Sequence, residues 1–151
     1  MPTASLSTPV GGLAVTEQDG RITRVEWTED THSDSSPALD RARAQLEAYF
    51  AGTLREFDLP LAPLSDPFRQ KVREAMLAIP LGQTRTYGEI AKELDTYGQP
   101  VGAACASNPI PVIVPCHRVL SAEGLGGFSG GQGVETKIAL LRHEGGYPFL
   151  V

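Results

Sequence analysis

Residues 86–107 read Thr86-Tyr87-Gly88-Glu89-Ile90-Ala91-Lys92-Glu93-Leu94-Asp95-Thr96-Tyr97-Gly98-Gln99-Pro100-Val101-Gly102-Ala103-Ala104-Cys105-Ala106-Ser107. Thr86 and Glu89 stand at capping-box spacing, where each side chain satisfies a backbone amide that the start of a helix leaves open. The spacing predicts a short helix with Tyr87, Ile90, Ala91 and Leu94 on its buried side. After a few turn residues, Pro100 suits the opening of a second helix running to about Ser107, because a missing amide costs nothing there. Two short helices joined by a tight turn form a helix-turn-helix. On the N-terminal side, Asp66 is a good N-cap and Pro67 a good first-turn residue. Phe68, Val72, Ala75, Met76 and Ile79 then recur as an apolar helical stripe. On the C-terminal side a last helix is expected over 134–143, with Val134, Ile138 and Leu141 inward and Gly145-Gly146 ending it.

A boundary falls at Leu59-Pro60-Leu61-Ala62-Pro63, where two prolines interrupt helical and strand patterns alike. Before it, residues 13–16 and 22–27 are rich in β-branched and apolar residues, and Asp19-Gly20 between them is a hairpin turn signal. A helix over 39–50 places Leu39, Ala42, Leu46, Tyr49 and Phe50 on one face, with Gly52 as its stop. The first part therefore reads as a small sheet plus a helix, and residues 31–37 as a polar loop. Charge divides at the same place. Residues 1–59 hold 5 Arg against 10 Asp and Glu, and the remainder holds 8 basic and 8 acidic residues. The whole net charge of -5 thus belongs to the first part, and taken alone it argues against a nucleic-acid partner.

A length of 151 residues bounds the chain at one large or two small domains. With 41% hydrophobic and 21% charged residues, a disordered chain is excluded. Cys105 and Cys116 cannot build a disulfide framework and match no common zinc spacing. The N-terminus lacks a basic region followed by a long apolar stretch, and no run is long enough to cross a bilayer. A soluble, reduced, cytoplasmic protein is expected.

The chemistry concentrates in Asn108-Pro109-Ile110-Pro111-Val112-Ile113-Val114-Pro115-Cys116-His117-Arg118-Val119. A lone cysteine is ordinarily a small buried hydrophobe. Here His117 follows Cys116, and an imidazole near a thiol can take its proton to give the attacking thiolate. Neighbours in an extended strand face opposite ways, so the pairing needs a bend, which Pro115 is placed to make. A third group usually orients the base. Glu144 is available, although spacing alone favours a solvated surface carboxylate. Cysteine, histidine and acid fit either a papain-like hydrolase or another thiolate transfer, and the residues alone do not choose.

Pro115-Cys116-His117-Arg118-Val119, preceded by Asn108-Pro109 and followed by Phe128-Ser129-Gly130-Gly131 and His143-Glu144-Gly145, resembles the O6-alkylguanine-DNA alkyltransferase family (methylated-DNA–protein-cysteine methyltransferases). The resemblance runs from Phe68 to Gly145. It reaches weakly into the first part through Ser7-Thr8-Pro9-Val10-Gly11-Gly12-Leu13 and Tyr49-Phe50-Ala51-Gly52. It implies a ribonuclease-H-like α/β N-terminal domain over 1–62, antiparallel sheet plus helix. A mostly α, winged helix-turn-helix-like C-terminal domain over 63–151 would follow and carry the cysteine. The implied activity is DNA repair. An alkylated guanine is flipped out of double-stranded DNA through the minor groove, and its O6-alkyl group (or the O4-alkyl group of thymine) passes irreversibly to Cys116. Each protein acts once, as a monomer, with no cofactor, metal or membrane.

The same resemblance implies roles residue by residue. Cys116 is the acceptor, His117 the base acting through a water, and Glu144 the group orienting His117. Tyr87 supplies a proton to the guanine ring or holds the flipped nucleotide. Asn108 ties the recognition helix to the cysteine loop, Val119 lies where main-chain carbonyls bind the base, and Ser129 contacts the alkylated oxygen. Lys137 matches a position in the last helix that an exposed lysine would explain nearly as well. Arg118 reads as an ion-pair partner within the signature. Phe128 replaces a tyrosine and keeps the aromatic wall. Cys105, at an ordinarily apolar position, is expected to be inert, and His32 to lie on the surface.

One departure bears on DNA. Members carry an arginine followed by Ala-Val-Gly, which enters the stack in place of the flipped nucleotide. Here Gln99 occupies that position and the preceding turn is shorter, so either Gln99 fills the gap poorly or Tyr97 wedges instead. An alternative is a lesion-binding relative that signals to another repair pathway, but such relatives lack the cysteine. Neutrality of the second part, which holds Arg85, Lys92 and Arg118, implies modest, salt-sensitive DNA affinity with few phosphate contacts.

Overall fold

The computed structural model describes residues 1–145; Gly146, expected to share in ending the last helix, lies outside the described residues. The chain divides into two compact units, Met1–Ala62 and Pro63–Val151.

The first unit is a three-stranded antiparallel sheet, β1 (Thr3–Thr8), β2 (Gly11–Gln18) and β3 (Arg21–Trp27) in that order, with one helix, α1 (Pro37–Phe50). Asp19 and Gly20 turn β2 into β3 with φ of 53° and 81°, the pair of left-handed residues that a two-residue hairpin requires. Strand β1 has no counterpart in the sequence reading. Its Thr-Ala-Ser-Leu-Ser-Thr run is polar at most positions, with only Leu6 and the small Ala4 as apolar residues, and pairing with β2 makes it a strand. Helix α1 begins two residues before the expected start, because Ser36 caps the Leu39 amide and Pro37 takes the first turn. Its buried Leu39, Ala42, Leu46 and Tyr49 form the core of this unit with Leu13, Val15, Ile22 and Val25. Gly52, at φ 82°, lets the chain leave the helix.

The second unit is mostly helical: α2 (Pro67–Leu77), α3 (Tyr87–Glu93), α4 (Gly98–Ala106) and α5 (Val134–Glu144). Asp66 Oδ1 accepts from the Phe68 amide at 2.9 Å and begins α2. At α3 the capping box is complete. Thr86 Oγ1 accepts from Glu89 N at 3.0 Å, and Glu89 Oε1 accepts from Thr86 N at 2.8 Å. Helix α4 opens at Gly98 rather than Pro100. The proline then sits within the first turn, where its missing amide still has no intrahelical acceptor to lose. A short parallel ladder between β4 (Arg85–Thr86) and β5 (Val119–Leu120) ties the start of α3 to the end of the cysteine loop. This brings Tyr87 to that loop.

Helix α5 corrects the expected inward face. Thr136, Lys137, Leu140, Leu141 and Glu144 are buried, whereas Val134 is 39% exposed. The buried stripe runs through Lys137, Leu140, Leu141 and Glu144 rather than through Val134, Ile138 and Leu141, because buried partners await the two charged residues. Among the described residues no helix is long and apolar enough to cross a membrane.

Candidate functional site

The loop between α4 and β5 is buried throughout residues 110–120, so its backbone must be satisfied locally. Asn108 does much of this. Its Nδ2 donates to Val114 O at 3.0 Å, and its Oδ1 accepts from Ile110 N at 3.0 Å. Val112 sits at φ 72° inside a three-residue turn closed by Ile113 N to Pro111 O at 2.9 Å. A β-branched residue is strained there and is held by the surrounding contacts. The turn expected at Pro115 is present. With φ -81° and ψ 65°, Pro115 forms an inverse γ-turn in which Cys116 N donates to Val114 O at 2.8 Å. One turn of 3-10 helix, Cys116–Arg118, follows and separates the directions of its three side chains.

His117 does not hydrogen-bond the thiol beside it. Its Nε2 donates to Glu144 Oε2 at 2.6 Å, and its Nδ1 is buried without a hydrogen-bond partner among the described residues. Glu144 is not a solvated carboxylate either. Arg118 Nε and Nη2 donate to its Oε1 and Oε2 at 2.8 and 3.1 Å, and Arg118 Nη1 donates to Ile79 O at 2.6 Å. Burial would raise the Glu144 pKa, but the hydrogen bonds and charges of His117 and Arg118 hold it down to about 2. The carboxylate is thus an acceptor only, which assigns the imidazole proton to Nε2 and leaves Nδ1 as the basic atom. Burial lowers the His117 pKa, partly opposed by Glu144, so the ring is neutral and able to accept.

Lys137 is fully buried and not the exposed lysine its position would also allow. Nζ donates to the carbonyls of Val119, Leu125 and Gly127 at 2.7, 2.5 and 3.0 Å, pinning the loop after β5. Burial pushes its pKa down to about 8. The Val119 carbonyl, expected near the base, is therefore already engaged. Nζ also lies 5.9 Å from the centroid of the Tyr87 ring.

Cys116 opens on a cavity of about 420 Å³, lined by Tyr87, Gly102, Cys105 and Ala106 from α3 and α4 and by Gly127, Phe128 and Ser129 from the glycine-rich loop. That is within the range of small-molecule sites, and two aromatic rings suit a flat heterocycle. Burial raises the Cys116 thiol pKa, against the Asn108 side chain and the Lys137 charge, so the thiol needs a base. Burial also raises Tyr87, keeping its hydroxyl protonated. Ser129 Oγ donates to Ala106 O at 3.2 Å, joining the glycine-rich loop to the end of α4. Cys105 Sγ meets Met76 Sδ at 3.7 Å, and burial pushes its pKa to about 12, which leaves it inert as a nucleophile. Gln99 is exposed on the first turn of α4, away from these contacts. Sequence reasoning missed Gly102, Ala106 and Gly127 as walls and the Ile79 carbonyl as the Arg118 acceptor. Small side chains and backbone atoms carry no signal of their own.

The family model described as the DNA binding domain of 6-O-methylguanine DNA methyltransferase matches residues 67–146, and the model of its ribonuclease-like domain matches residues 1–63. The chain belongs to the 6-O-methylguanine DNA methyltransferase family. A methylated-DNA–protein-cysteine methyltransferase of Mycobacterium leprae is 39% identical over 150 residues, covering 93% of this chain and 90% of that protein. The constitutive enzyme of that name from Bacillus subtilis is 39% identical over 154 residues, with 91% of each chain covered. A crystal structure of Mycobacterium tuberculosis OGT in complex with DNA superposes with a TM-score of 0.85 at 39% identity, covering 96% of this chain and 93% of that one.

Within this methyltransferase, Gly126 fixes the placement of Tyr87. It has φ 71°, and a Cβ there would lie 3.0 Å from Tyr87 Cε2 and 3.1 Å from its hydroxyl. Gly126→Ala is expected to displace the ring and slow the reaction of Cys116 roughly tenfold, at a strain cost of about 1–3 kcal/mol. Rates with a small thiol-directed alkylguanine, compared with melting temperatures, check this.

Proposed function

We propose that the protein repairs alkylated DNA by one irreversible transfer of the alkyl group from O6 of guanine to Cys116 Sγ. The observation that carries this reading is the placement of Cys116 on an aromatic-walled cavity in front of the buried His117–Glu144–Arg118 chain. The thiol proton passes through a bridging water to His117 Nδ1. The thiolate attacks the alkyl carbon in line, the carbon–oxygen bond breaks with its electron pair on guanine, and the Tyr87 hydroxyl protonates the departing ring. Solvent then returns the proton held by His117 to Tyr87. Guanine is restored and a thioether remains, which has no leaving group at neutral pH, so each molecule acts once.

The helix pair α3 and α4 borders the cavity, and the mycobacterial relative solved in complex with DNA supports DNA as the partner. We place α4 in the minor groove, where shape rather than sequence dominates, with the lesion flipped into the cavity. Helix α4 has no charged residue, so affinity rests on few phosphates. O4-alkylthymine, a smaller ring, is a second substrate of the same seat. The test is stoichiometric. Excess duplex carrying O6-methylguanine should lose one methyl per protein and no more. Continued turnover, or lesion binding without loss of methyl, contradicts the proposal.

A further inference from the structure

We infer that Tyr97 is the side chain that enters the base stack when the lesion leaves it, a positioning residue for transfer from duplex DNA; this rests on the base-flipping reading above. Tyr97 is 78% exposed and is the one aromatic among the large exposed hydrophobic residues of the described chain. It is the N-cap residue just before α4, in an extended conformation, and its side chain caps nothing. Asp95, at φ 56°, makes the sharp turn that leads the chain out of α3 and presents Tyr97 at this corner.

The corner belongs to the mouth of the site. A Cβ built on the adjoining Gly98 would lie 3.9 Å from Tyr87 Cβ, so the backbone after Tyr97 rests against the side chain that walls the Cys116 cavity. One helical turn further, Gly102 lines the same cavity. Tyr97 is thus an exposed flat ring set beside a pocket sized for a base. Removing a base from a duplex leaves two unstacked neighbours. A ring inserted there recovers stacking on both faces, an effect of roughly tenfold to a hundredfold on an equilibrium constant. Gly98–Ala106 offers no cation that could hold the opened duplex instead, and Gln99 presents only a small amide plane. An exposed tyrosine that merely covered surface would gain nothing from that position.

Two measurements test this. Tyr97→Ala should slow methyl transfer from O6-methylguanine in duplex DNA at least tenfold while leaving the rate with the free base unchanged, and Tyr97→Phe should restore the duplex rate. Equal rates on duplex for Tyr97→Ala and wild type, or an equal loss on both substrates, would overturn the inference. The second needs no transfer. Tyr97→Trp combined with Cys116→Ala should show indole emission quenched by lesion duplex beyond that of Cys116→Ala alone. Unquenched emission at saturation would equally overturn it. Failure of wild type to transfer at all, with quenching intact, would instead contradict the proposed function.

Discussion

Glu144→Gln is expected to slow alkyl transfer by roughly 10²–10⁴-fold and to cost the fold about 3–5 kcal/mol. The carboxylate accepts from His117 Nε2 and from two nitrogens of Arg118 in a site closed to water. An amide offers one oxygen for both partners and sets an NH₂ against one of them. Arg118 is left as a buried, half-paired cation, and His117 loses the acceptor that fixes its proton on Nε2. Acid should reproduce the stability effect in the wild type. The Glu144 pKa is lowered from 4.5 to about 2, so its contribution, about 3 kcal/mol, is complete above pH 4.5 and is lost as pH falls towards 2. The His117 pKa is lowered below 6.5, so the fold also begins to lose stability as pH drops below that value. Denaturant unfolding across pH 2–7 checks both steps, and the step below pH 4.5 should be absent in Glu144→Gln.

Lys137→Met is the second large effect. It removes the donor shared by the Val119, Leu125 and Gly127 carbonyls. Each acceptor left dry costs about 1–3 kcal/mol; relief from burying an ammonium offsets part of this, for a net loss of about 2 kcal/mol. Transfer should suffer more than stability, falling roughly 100-fold, because a released loop misplaces Phe128 and Ser129 at the cavity wall. The pH dependence distinguishes this from generic damage. With its pKa lowered from 10.5 to about 8, Lys137 leaves the unfolded chain holding more protons in that window. Wild-type stability should therefore gain a contribution that rises with pH between 8 and 10.5 and is missing from Lys137→Met.

These two residues also mark where the sequence could and could not be read. The Thr86–Glu89 box, the Asp66 cap and the Asp19-Gly20 hairpin are local devices, each satisfied within four residues, and each stands where its pattern placed it. The antiparallel sheet with one helix and the helical second unit followed from them. Strand β1 and the β4–β5 ladder depend on pairing partners far along the chain, which no local pattern encodes. Glu144 and Lys137 show the opposite failure. A charged residue on a helix reads as solvated unless its partners are known, and here the partners are Arg118, His117 and three backbone carbonyls from distant segments. The acidic charge misled for a related reason. It resides in residues 1–59, while the unit carrying Cys116 is close to neutral.

Intact mass of the wild-type protein after incubation with O6-methylguanine duplex, followed by peptide mapping, tests the central assignment most directly. A gain of one methyl group is expected, located on Cys116, reaching one per protein and absent from Cys116→Ala. A methyl found on Cys105 or any other residue, or an unmodified wild-type protein bound to an intact lesion, would contradict it.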